Sequence, residues 1–200
     1  MILQELYEAG YSNTASENYV WLPEFEWLSP EKMQYYREKL YPELKNVIPF
    51  AINTGGDFYG LYSVGADEQL VIFYTHDSGQ AVYFAKSVQA AVFHQIIRFT
   101  CGDYVDMCTD EEKEGMNEEE AEDYISESEA VEMLHSYCKT YGRFFPECWT
   151  DKLMEIADGG FLDGNAFIPY EEGAGILYDL FGREDNLLQH YSSEELGGTA

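Results

Sequence analysis

Basic residues are scarce in this chain. Eleven Lys and Arg stand against 38 Asp and Glu, leaving a net charge of -27. Binding to phosphate backbones depends on clustered Lys and Arg, so nucleic acid is not an expected partner. Anionic membrane surfaces repel such a chain for the same reason. Long hydrophobic runs are missing as well, and none approaches the ~18 residues that span a bilayer. The opening stretch MILQELYEAG has no basic segment leading into an apolar core, so no export signal is expected there. Paired cysteine motifs are also lacking. Cys101, Cys108, Cys138 and Cys148 include no C-x-x-C pair, and the four histidines do not stand at zinc-ligand spacing from them. The expectation is a cytoplasmic protein with reduced, structural thiols and with neither metal nor other cofactor.

Aromatic residues, by contrast, are plentiful. The chain holds 17 Tyr and 12 Phe, and 46% of its residues are hydrophobic, so it can build a core despite its charge. A length of 200 residues suits one large domain, or one domain with an appendage. The acidity serves solubility. If it does more than that, it should attract a basic partner and steer its approach.

Local signals place the elements. A short helix is expected over 2–9. In WLPEFEWLSPEKMQYYREKLYPELK, Ser29 can cap a helix that has Pro30 in its first position, and Pro42 should end it. Four β-like segments follow at 47–52, 57–64, 70–75 and 81–85, rich in β-branched and aromatic residues. Their short glycine-containing connections require antiparallel neighbours. Pro49 demands an edge position or a bulge. NTGG reads as the first turn, with Gly55 and Gly56 supplying backbone freedom. At Ser87 the period becomes helical, with Val88, Val92, Ile96 and Phe99 on one face.

Beyond residue 100 the composition shifts. Residues 109–132 carry twelve acids and one lysine, and such a run is usually solvated and mobile. Ser126 and Glu129 form a capping box for a helix over 129–142, which Gly142 can close. A helix bounded by Pro146 and Gly159–Gly160 follows. A shorter helix lies in EGAGILYDLFG, and the closing GGTA should fray. The division expected is therefore an α+β domain over 1–100, an acidic and partly mobile segment over 101–126, and a mainly helical extension over 127–200 packed on the same domain. The fold class is α+β, a mainly antiparallel sheet of about four to six strands flanked by helices.

The candidate chemical groups each have a plainer reading. His76 and Asp77 could act as an acid/base pair. Adjacent residues that open a turn more often serve local hydrogen bonding. Asp57, after the Gly-Gly turn, could join them, or could bind the turn's own amides. His94 and His135 stand alone within helices. Ser63, Ser78 and Ser87 lack a nucleophile elbow. The acids do not follow a calcium-loop pattern, and no phosphate loop is present.

Taken in order, Pro49–Phe50–Ala51, then Gly56–Asp57 on the next strand, the aromatic meander, Thr75–His76–Asp77 and the helix AKSVQAAVFHQIIRF resemble the SUKH superfamily. The resemblance runs over roughly residues 20–100, the span of a small domain. The family's amino-terminal motif has no clear counterpart in WLPEFEWLSP. The resemblance implies an α+β domain and, as in many bacterial members, an immunity protein that neutralises a toxin by direct contact and does no catalysis. Such toxins include nucleases and other basic enzymes. The expected partner is thus a basic toxin domain, met by Asp57, Tyr59, Tyr62, Tyr74, His76, Asp77, Glu118, Glu119 and Glu120. A hydrolase using His76 with Asp77 or Asp57, or an adaptor without a toxin partner, is the alternative.

Overall fold

The amino-terminal helix α1, Ile2–Glu8, precedes a two-residue strand β1, Glu26–Trp27. A computed structural model describes residues 2–64, 68–162, 165–181 and 190–197. The connections across 65–67, and the last residues of GGTA at 198–200, lie outside the described residues. Helix α2, Pro30–Tyr35, starts as its sequence requires, with Ser29 accepting from the Lys32 amide and Pro30 in the first turn. It runs on as a single π-helical turn, Tyr36–Leu40, and stops before Pro42. The residue preceding a proline disfavours helical backbone, and Tyr41 has a φ of -132°.

Strands β2 (Val47–Ile52), β3 (Phe58–Ser63), β4 (Gln69–Thr75) and β5 (Gln80–Ala85) follow as an antiparallel meander. Pro49 is accommodated by a bulge. The register steps from Pro49 opposite Gly60 to Ala51 opposite Tyr59, leaving Phe50 as the extra residue. The Phe50 carbonyl accepts from the Leu28 amide at 2.9 Å and from the Tyr7 hydroxyl at 3.2 Å.

Helix α3, Val88–Thr100, begins with Ser87 accepting from the Ala90 amide at 3.2 Å. Next come β6 (Asp106–Cys108), α4 (Asp110–Gly115), α5 (Glu118–Ala121), β7 (Tyr124–Ser126), α6 (Glu127–Tyr141), α7 (Glu147–Gly159) and α8 (Tyr170–Phe181). The chain ends in β8 (His190–Ser192) and α9 (Ser193–Gly197). Among the described residues no helix is long and apolar enough to cross a membrane.

The chain divides into two compact units. One holds Met1–Val92 and Tyr178–Ala200; the other holds Phe93–Leu177. The boundaries fall inside α3 and α8, not at residues 100 and 126 where composition changes. In the first unit six strands form one sheet in the order β1-β2-β3-β4-β5-β8, every neighbour antiparallel. The carboxy-terminal stretch is therefore more than a helical extension. Its residues 190–192 add an edge strand opposite Gln80, Ala81 and Val82. One face of the sheet buries Phe58, Ile72, Tyr74 and Tyr83 with Leu44, Tyr191 and Leu196. The opposite face joins Tyr59 to Phe25 at 4.7 Å, to Phe84 at 4.9 Å and to Phe73 at 5.0 Å between ring centroids.

The second unit pairs β6 with β7 in parallel and packs α6 against α7. Phe93, Phe145 and Trp149 form its aromatic centre, with Phe93 and Trp149 at 4.7 Å. Helix α6 is capped as expected by Ser126 and Glu129, and it starts at Glu127, two residues early. Gly142 does not close it in a left-handed turn. It stays right-handed, with φ -56°, and leads into a short 3-10 turn.

Candidate functional site

The sheet brings two turns together at one end. In the β2–β3 turn, Gly56 has φ +86°, a conformation that glycine adopts without strain. Asn53 organises this turn: its Oδ1 accepts from the Asp57 amide at 2.8 Å, and its carbonyl accepts from the Gly56 amide at 3.2 Å. Asp57 is thereby released from the role of holding its own turn, which corrects the plainer sequence reading. Its carboxylate instead crosses to the β4–β5 turn. Asp57 Oδ1 accepts from the His76 amide at 3.0 Å and lies 2.7 Å from His76 Nδ1. The other ring nitrogen, Nε2, lies 3.0 Å from Asp77 Oδ1.

This arrangement determines what the group does chemically. With a carboxylate oxygen at each ring nitrogen, the imidazolium satisfies both contacts as donor, and the neutral ring satisfies one. The hydrogen bond to Asp57 therefore raises the His76 pKa, partly opposed by desolvation and reinforced by the charges of Asp77 and Asp57. In its protonated form the ring has no lone pair with which to act as a general base. The nearby Ser78 hydroxyl is used within its own turn, where it contacts the Thr75 carbonyl and accepts from the Gln80 amide.

Beside these turns, Glu24 has φ 53°, unusual for a residue with a side chain. Its carboxylate accepts from the Thr54 hydroxyl at 2.6 Å and from the Thr54 amide at 3.2 Å, fixing the loop before β1 to the β2–β3 turn. The same end of the sheet thus displays Glu24, Asp57 and Asp77, of which Asp77 is 87% exposed.

The sequence-predicted tyrosines are separated by the sheet. Tyr59 and Tyr74 are each 3% exposed and belong to the opposite cores, so neither can anchor a partner on the surface. Aromatic residues on β3 and β4 fill both faces, which hides from the sequence the alternation that would have sorted them. Tyr62 is half-buried, with its ring 5.2 Å from Tyr191.

The acidic stretch is sorted too. Thr109 and Glu112 close a capping box on α4, a signal present in the sequence as T-x-x-E and not used above. Glu112 is held low by the Thr109 amide, and Asp110 by the hydroxyls of Ser126 and Ser128. Lys113 binds the Tyr124 carbonyl at 2.7 Å and Glu129 at 2.5 Å, and the latter contact lowers the Glu129 pKa. Glu118, Glu119 and Glu120 remain exposed on α5, behind the Asn117 cap, and none pairs with a described base. A segment expected to be partly mobile is accordingly built from helices and strands over 106–126. Among the described residues no group of His, Cys, Asp or Glu is placed to hold a metal ion, and the four cysteines are free.

Comparison of the chain with family models, with curated proteins and with solved structures gives no match.

A further feature escaped the sequence reading. A hollow of about 790 Å³ lies between α1 and α2. Its signal was the pairing of Leu3 with Tyr7 and of Met33 with Arg37, four residues apart on their helices.

Proposed function

We propose that this protein binds a basic protein partner and neutralises it by direct contact, in the manner of an immunity protein acting on a toxin domain. The observation that carries this reading is the folding of residues 110–121 into two capped helices, which orders the backbone that bears the exposed Glu118, Glu119 and Glu120. An acid run that serves only solubility has no need of such ordering. Carboxylates on an ordered backbone meet a basic surface with less backbone entropy lost on docking, and they speed the approach of a cationic partner. The net charge of -27 and the resemblance to the SUKH superfamily support the same class of partner independently. Asp77, 87% exposed at the end of the sheet, offers a further acceptor. The hydrolase alternative has less support, because each nitrogen of His76 faces a carboxylate.

The deciding experiment is co-expression with a toxic domain encoded beside this chain. Rescue of growth, with a stable complex on gel filtration, is the expected result. Continued toxicity despite full expression of the folded protein overturns the reading.

A further inference from the structure

The hollow between α1 and α2 combines an apolar floor with a charge pattern unlike the rest of the molecule. Leu3, Tyr7, Met33 and Ile48 line it, and Arg37 and Lys45 stand at its rim. Its volume, about 790 Å³, lies in the range of small-molecule sites. Acids outnumber bases 38 to 11 in this chain, yet neither Arg37 nor Lys45 forms an ion pair with a described carboxylate. Each of the two acids at the same rim has a neutral amide as its partner. Glu8 accepts from the Gln4 side chain at 2.8 Å, and Glu38 from the Gln34 side chain at 2.8 Å. The groups left seeking a partner are the two cations.

We propose that this hollow binds a single-chain amphiphile carrying one carboxylate, with its alkyl tail on the apolar floor and its head between Arg37 and Lys45. The rim's own charges balance, so it can meet one negative charge at most. Two bases and two acids line it, and the net charge of the whole chain disfavours a polyanion. Either cation suits a carboxylate, Arg37 through its planar donor fork and Lys45 as a point charge. The tail supplies most of the affinity, since each buried methylene strengthens binding about three- to fourfold. The site is independent of the carboxylates assigned above to a basic partner.

The test uses the full chain and three probes: dodecanoate and dodecyltrimethylammonium below their micelle-forming concentrations, and dodecanol below its solubility limit. Calorimetry should show dodecanoate binding one to one, about tenfold or more tighter than dodecanol, with the ammonium weaker than both. Octanoate should bind more weakly than dodecanoate by a further factor of ten or more. The double variant R37E/K45E changes exposed side chains and should keep its melting temperature. It should lose the preference for carboxylate over alcohol and leave dodecanol binding unchanged. Equal affinity for carboxylate and alcohol, dodecanoate binding unaffected by R37E/K45E, or no saturable binding of dodecanoate overturns the proposal.

Discussion

Asp57 holds His76 at two points, taking the backbone N–H at 3.0 Å and facing Nδ1 at 2.7 Å. One carboxylate oxygen thus joins the β2–β3 turn to the β4–β5 turn across the end of the sheet. The ring contact, unlike the backbone one, is strengthened by protonation of His76. Its partner Asp57 is mostly covered, at 17% exposed, and the His76 ring is 39% exposed.

The pKa of His76 is raised, so its stabilising contribution is complete below the ordinary imidazole value and is lost as pH rises through the raised one. Histidine NMR titration should place His76 above its ordinary value of 6.5. The variant D57N should bring it down. The melting-temperature difference between wild type and H76Q should shrink as the medium becomes alkaline. A His76 that titrates alike in wild type and D57N removes Asp57 as the cause.

The two turn glycines should behave differently. Gly56 has φ +86°, and an alanine there should cost about 1–2 kcal/mol. A Cβ on Gly55 would meet only the Asn53 side chain, at 3.4 Å, so Gly55→Ala should be nearly neutral. Gly60 is required for a different reason. A Cβ there would lie 2.5 Å from Val47 Cγ1, and the resulting overpacking should cost about 1–3 kcal/mol. Denaturant midpoints of the three alanine variants check the order, and a Gly55 variant as damaged as the Gly56 variant contradicts it.

Tyrosine substitutions should separate by burial. Tyr59→Ala and Tyr74→Ala each remove a ring that is 3% exposed and should cost about 3–5 kcal/mol of stability. Tyr62→Ala should cost less, because Tyr62 is only half-buried. Chemical denaturation gives the comparison. Equal losses at Tyr59 and Tyr62 would mean that side-chain burial does not control this sheet.

Charge neutralisation on α5 should act on kinetics. Replacing Glu118, Glu119 and Glu120 by glutamine should slow association with a basic toxin domain and flatten its dependence on salt, with dissociation nearly unchanged. Attraction between exposed charges is screened beyond ~8 Å at physiological ionic strength, so the effect should be largest at low salt. Stopped-flow measurement of wild type at several salt concentrations is the control. A salt-insensitive wild-type association rate leaves the acids with no steering role.

Much of the fold is legible in the sequence because its signals are local. The cap at Ser29, the proline at its first helical position, the box at Ser126 and Glu129, and the short turns between β-like segments each specify structure within a few residues. Those turns also dictate the antiparallel order of β2 to β5. Pro49 signals a bulge because a missing N–H must be absorbed somewhere in the ladder.

The sequence by itself determined the acid excess, the aromatic supply and the order of the meander. Tertiary structure alone decided where each of these is used. Tyr59, Tyr62 and Tyr74 look equivalent in the chain, and only the two covered faces of the sheet bury the first and last of them. The acids of 109–132 look like one mobile block, and only the positions of Thr109, Lys113, Ser126 and Ser128 separate those that hold structure from those that face solvent. Strand β8 is three residues long and pairs with β5, far away in the chain. Its place depends on hydrogen bonds between segments that carry no local mark of each other. The same holds for Asp57 and His76, whose meeting requires the whole register from β2 to β5 to be in place.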